Sequence, residues 1–140
     1  MKKASKILYL VGAILSILAA LGFFFWGIAS IVLGAIGASY SASDIYHWIV
    51  ENAPELAESL TEAMIAQFFA TAIVNGVIDV VWGCFSVASA VLAFKARKEE
   101  LPSRVLAILN IVFGVLGCGL ANAVAGVFSL VIRAKEPQAE

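Results

Sequence analysis

Apolar side chains come in three long runs, and the lengths of those runs predict the architecture. The first extends from Ile7 to about Gly37. A bilayer core takes about 20 helical residues, so two crossings here would leave about 15 residues each with no polar turn between them. One long helix, tilted or projecting beyond the membrane, is the expectation. The second run, Gln67 to Phe94, ends in the charged turn KARKEE. The third, Val105 to Ile132, carries no charged residue and is interrupted at Gly117-Cys118-Gly119. Read as one helix it would cross once. Read as two helices folded at the glycines, each half is about 21 Å long, which is short for a core of about 30 Å and leaves a re-entrant hairpin open.

Charge bears on that choice. All nine Lys and Arg residues fall in three segments: Lys2, Lys3, Lys6; then Lys95, Arg97, Lys98, Arg104; then Arg133, Lys135. Basic residues collect on the cytoplasmic side of membrane proteins. Two further crossings after Arg104 return Arg133 and Lys135 to that side, whereas one would strand them outside. The predicted fold is therefore all-α: an integral membrane four-helix bundle with spans at about 7–37, 67–94, 104–117 and 119–133. Both termini are cytoplasmic, and an acidic segment, 39–64, lies outside between spans 1 and 2. A single membrane domain of 140 residues, multi-pass in the plasma membrane, follows.

Composition agrees. The chain is 62% hydrophobic and 14% charged, with a mean hydropathy of +0.99. Soluble domains are typically near half apolar. With the cations confined to the span ends, no basic face remains for nucleic acid. MKKASK followed by an apolar run imitates a signal peptide. Its run is much longer than the 7–15 residues of a signal core, so a retained anchor helix is expected, with the Ala-Ser-rich 37–43 stretch as the place where cleavage would fall.

In the acidic segment, Asp44, Glu51, Glu55, Glu58 and Glu62 are relieved by no Lys or Arg. Ser43 is expected to cap a short helix from Asp44, and Pro54 to open another. The spacing of Glu51, Glu55, Glu58 and Glu62, and of Leu56, Leu60, Ala63 and Met64, predicts an amphipathic helix that can run into the second span. Tyr40, Tyr46 and Trp48 suit headgroup depth. Pro102 is expected in the first turn of the third run.

Asp79 is the one acidic residue inside a span. An ionised carboxylate near the bilayer centre costs about 2.5–3.5 kcal/mol on insertion scales, so such residues usually face the bundle interior. No Lys or Arg lies in a span to pair with it. Asn75 stands one turn away, and Asn110 and Asn122 on the later spans are candidate partners. Together these four form either an ion or proton site or a polar cluster that joins helices. Gly12, Ser16, Ser30, Gly34, Gly76, Gly83, Gly114 and Gly126 are the expected helix-packing positions, where small side chains let backbones approach. His47, with Asp44 and Glu51 on one helix face, offers metal-ligand types without convergent geometry and reads as an interfacial histidine, so no metal is expected. Cys84 and Cys118 read as free, buried thiols acting as small apolar residues. No catalytic constellation or cofactor motif occurs, and neither an enzyme nor a cofactor is expected.

MKKASKILYLVGAILSILAAL at the start, the glycine-rich third and fourth spans and the closing SLVIRAKE resemble small four-span bacterial membrane proteins of unknown function. The layout is similar to that of claudin-like tetraspans, with the main outer segment between spans 1 and 2. The resemblance implies a layout and no functional residue. Two functions are expected of such a chain. One is a structural or interaction protein of the bilayer, forming a homo-oligomer or joining another membrane protein in a larger complex through its small-residue faces. The alternative is a small transport or channel component that uses Asp79.

Overall fold

The structure, a computed structural model, describes residues 2–135. Among these residues every regular element is an α-helix: α1 Lys2–Ala38, α2 Ala42–Asn52, α3 Pro54–Ala57, α4 Glu62–Lys98, α5 Arg104–Leu116 and α6 Leu120–Lys135. Helices α1 and α4 have 37 residues each, about 55 Å at 1.5 Å per residue. Both are long and apolar enough to cross a membrane. The third apolar run is two helices, α5 and α6, joined by a turn at 117–119, so a single helix over 105–132 is excluded.

The chain forms two compact units. One comprises residues up to Phe23 together with Val81 onward; the other is Phe24–Val80. In the first unit, α1, α4, α5 and α6 run alternately up and down. Ser5 and Tyr9 of α1 meet Ser129 of α6, and Ser16 of α1 meets Asn122, so α1 and α6 are antiparallel. Asn110 of α5 reaches the Leu92 carbonyl of α4, and Ser86 of α4 reaches the Gly117 carbonyl at the far end of α5. Serine, alanine and glycine recur at these crossings beside the larger Tyr9, as is usual where helices associate without a hydrophobic driving force between them. A methyl group on Gly114 would lie 2.7 Å from the Ala123 nitrogen, and one on Gly126 would lie 2.6 Å from the Ala107 carbonyl.

The α5–α6 turn has an unusual residue distribution. Its left-handed residue is Cys118, with φ of 55°, rather than either glycine. The glycines serve close approach instead. A methyl on Gly117 would stand 2.7 Å from the Phe85 carbonyl, and one on Gly119 would stand 2.5 Å from the Ser16 hydroxyl. At the other end of this unit, the Arg133 guanidinium donates to the carbonyls of Leu101 and Pro102, fastening the α4–α5 loop.

In the second unit, α1 and α4 cross at bare backbone. A methyl on Gly27 would come 2.8 Å from the Gly76 carbonyl, and one on Gly76 would come 2.6 Å from the Gly27 carbonyl. Farther along, Gly34 lies against Ile73 and the Phe69 carbonyl. Helix α2 turns Ile45 and Ile49 toward Met64, Ile65, Phe68 and Phe69 of α4, with which they line an apolar depression.

The structure differs from the sequence expectation in three further ways. Ser41, not Ser43, caps α2, accepting from the Asp44 amide at 3.0 Å. The acidic residues do not share one helix: Glu51 is in α2, Glu55 in α3, Glu58 in a turn and Glu62 at the start of α4. Pro54 explains the break, because the residue before a proline is pushed out of the helical region; Ala53 sits at φ −149°, ψ 65°. Helix α4 then starts anew under a Thr61 cap. Finally, Pro102 lies outside α5, which Ser103 caps through the Leu106 amide.

Candidate functional site

Thr71, Asn75 and Asp79 succeed one another at intervals of four along α4, which aligns them on one helix face. The glycine crossing decides what stands beside them. Because Gly27 has no side chain, the Asp79 Cβ lies 3.1 Å from where a Gly27 methyl would be, and the carboxyl emerges next to α1. Ser30 of α1 completes a polar row. Ser30, Thr71, Asn75 and Asp79 line one open depression of about 440 Å³, walled by Trp26, Leu33, Phe68 and Ile78. Asp79 and Ser30 are half-buried there, and Thr71 and Asn75 are exposed. Among the described residues none of these four side chains has a hydrogen-bond partner.

Asn110 and Asn122 belong to a different arrangement, inside the first unit. Both are fully buried. The Asn122 amide donates to the hydroxyls of Ser16 at 3.2 Å and Ser89 at 2.9 Å, and that of Asn110 donates to the carbonyls of Leu106 at 2.8 Å and Leu92 at 3.3 Å. Their Oδ1 atoms are buried and accept no hydrogen bond. The Asn122 Oδ1 instead lies over the backbone of Gly12, where any side chain would collide with it. Of the expected polar group, then, Asn75 accompanies Asp79, whereas the donors of Asn110 and Asn122 are engaged elsewhere.

These asparagines and Ser16 belong to a polar seam whose members Ser5, Tyr9, Ser89 and Ser129 were not singled out along the sequence. The Ser5 and Tyr9 hydroxyls lie 3.0 and 3.1 Å from that of Ser129, Ser16 donates to Ser89 at 3.3 Å, and Ser86 donates to the Gly117 carbonyl at 3.0 Å. Ser5, Ser16, Ser86, Ser89 and Ser129 are all buried. The available signal was serine recurring among small residues within apolar runs. Hydroxyls and amides at helix crossings can hold helices together. The partners found for the seam's hydroxyls among the described residues are other hydroxyls, the Asn122 amide and backbone carbonyls.

The small residues expected on packing faces pack within the chain. Gly12, Ser16, Gly34, Gly76, Gly83, Gly114 and Gly126 are buried, and only Ser30 is left partly open. Both thiols are free, and both are exposed rather than buried. Among the described residues, no group of three or more His, Cys, Asp and Glu side chains could hold a metal ion. Comparison with protein-family models, curated proteins and solved structures gave no match.

Proposed function

We propose that this chain is a subunit of a larger membrane complex, and that the Asp79 depression receives a membrane segment of another protein. In each long helix only 28% of the most apolar window is buried, unlike the core helix of a soluble protein. Large apolar residues such as Leu21 (62% exposed), Phe25 (74%) and Val91 (61%) face outward along both. Hydrocarbon is the solvent such faces match. With the basic helix ends on the cytoplasmic side, α1 and α4 cross, and the α5–α6 hairpin enters from that side and returns to it. Its helices of 13 and 16 residues are about 20 and 24 Å long, two-thirds or more of a 30 Å core. This keeps a four-helix layout with both termini cytoplasmic.

The observation that carries the function is the row Ser30, Thr71, Asn75 and Asp79, without partners in an open depression. In hydrocarbon an unpaired polar group costs several kcal/mol, so a second polar surface is favoured there. A further copy of this chain suits the place poorly. Residues 24–80 contain Asp44, Glu51, Glu55, Glu58, Glu62 and Asp79 and no Lys or Arg, so two copies would bring like charges together. A different chain presenting a cation or amide to Asp79 is favoured. The test is a photo-crosslinker at Thr71 in native membranes. One defined partner captured by the parent and lost in Asp79→Leu supports the reading, and a strictly monomeric parent without a crosslink refutes it. Four oxygen-bearing side chains in one depression also suit a proton or cation site. For that second reading, Asp79→Asn should abolish a pH- or cation-dependent flux in proteoliposomes, and a parent without flux excludes it.

A further inference from the structure

In the first unit the adjoining ends of α1 and α4 enclose a second depression, of about 330 Å³, lined by Lys6, Ile7, Leu10, Phe94, Arg97 and Lys98. Lys6 and Leu10 share a face of α1 by their spacing of four. Phe94, Arg97 and Lys98 share a face of α4 by spacings of three and four. The two helices thus bring a cationic rim and an apolar floor to one place. Among the described residues, no carboxylate or other group holds Lys6, Arg97 or Lys98 in a hydrogen bond or ion pair. Glu99, the nearest acid in sequence, accepts instead from the Ser103 amide at 3.2 Å.

We propose that this depression binds an anionic phospholipid of the cytoplasmic leaflet, with the phosphate among Lys6, Arg97 and Lys98 and an acyl chain along Ile7, Leu10 and Phe94. The inference rests on the membrane reading above and is independent of the Asp79 partner. The ligand class follows from the lining. Three unpaired cations between membrane helices at the cytoplasmic side form a basic pocket of the kind that takes lipid headgroups. A free phosphate would leave the apolar floor bare, and a neutral lipid would leave the cations unmatched. Leu10 and Phe94 are half-buried, whereas Ile7, Arg97 and Lys98 are exposed, so the inner part of the floor lies deeper than two of the three charges, as a lipid entering from the bilayer requires.

The full chain, purified in mild detergent, is titrated with phosphatidylglycerol and with phosphatidylcholine and followed by native mass spectrometry. Preferential binding of phosphatidylglycerol is expected, unaffected by millimolar inorganic phosphate. Each cation near an anionic surface contributes about fivefold, so Arg97→Gln/Lys98→Gln should weaken binding roughly thirty-fold. Lys3→Gln/Lys135→Gln removes equal charge outside the depression and should leave it nearly unchanged. Equal weakening by both pairs would mean diffuse attraction and overturn the site. Displacement by inorganic phosphate would overturn the lipid as ligand. Carbonate extraction of native membranes separates the premises: release of the parent protein defeats the membrane reading itself, whereas retention without phosphatidylglycerol preference defeats only the lipid site. Arg97 and Lys98 are exposed, and helical circular dichroism equal to the parent's shows that their variant folds.

Discussion

Replacing Gly76 by alanine tests the crossing on which the Asp79 depression depends. The new methyl would lie 2.6 Å from the Gly27 carbonyl, 2.7 Å from Ile31 Cγ1 and 2.9 Å from the Ile31 nitrogen. Two of these are backbone atoms and cannot rotate away. Restoring ordinary contact would part the helices by about 0.8 Å, a gap that forfeits a quarter to a half of each dispersion contact along the crossing. Overpacking of this kind costs about 1–3 kcal/mol. Opposing it is the helix propensity gained when Gly becomes Ala, about 1 kcal/mol. Gly22, on the same pair of long helices, supplies the control, because nothing lies within 4 Å of a methyl placed there. Gly22→Ala should keep the propensity gain without the clash. The two variants should therefore differ by about 1–3 kcal/mol, or roughly 5- to 150-fold in the unfolding equilibrium. The assay is reversible unfolding in mixed micelles against the mole fraction of sodium dodecyl sulfate, read by circular dichroism. Equal midpoints for Gly76→Ala and Gly22→Ala would refute the close crossing. Ile31→Ala, which removes Cγ1, should relieve Gly76→Ala only in part, since the Gly27 carbonyl and the Ile31 nitrogen remain.

Two further outcomes follow from the fold and the charge map. Cys118 is exposed and left-handed, a conformation that costs a non-glycine residue about 1–2 kcal/mol; in the same assay Cys118→Gly should match or exceed the parent's stability, and Cys118→Val should fall below it by about 1 kcal/mol. A Cys118→Val variant as stable as the parent would contradict the turn geometry. In a background lacking Cys84 and Cys118, cysteines at Glu58 and Lys98 should react with a membrane-impermeant maleimide from opposite sides of the membrane, and labelling of both from one side would overturn the proposed topology.

Much of the helix layout was legible along the chain because it depends on axial quantities. A run of apolar residues has a length, a charge has a position, and a helix stops where glycine or proline interrupts it. The runs at 7–37 and 67–94 lie within α1 and α4, and the break at 117–119 separates α5 from α6. Local competition limited this reading at the caps. Ser41 and Ser43 are equally suited to cap a helix, and the choice between them depends on how the backbone leaves α1. Period alone also predicted one amphipathic helix through 51–64, but Pro54 divides it, since a steric restriction on a single residue outweighs a favourable pattern.

Which residues meet was decided by the tertiary structure. Asn75 and Asp79 were legible as neighbours because four residues of one helix fix both depth and face. Asn110 and Asn122 stand on other helices, where spacing gives depth but not the neighbour each side chain will face. The packing gave Asn122 to Ser16 and Ser89, and Asn110 to Leu92. Likewise, the sequence marked Gly12, Gly34, Gly76, Gly114 and Gly126 as contact faces without saying which chain they contact. In the folded molecule each meets a residue of this chain. By itself, then, the sequence determined the apolar runs, the place where the third is interrupted and the separation of basic ends from the acidic segment. Only the tertiary structure could decide that the small-residue faces close inward while the row at Asp79 stays open, because that depends on the rotation of each helix about its own axis.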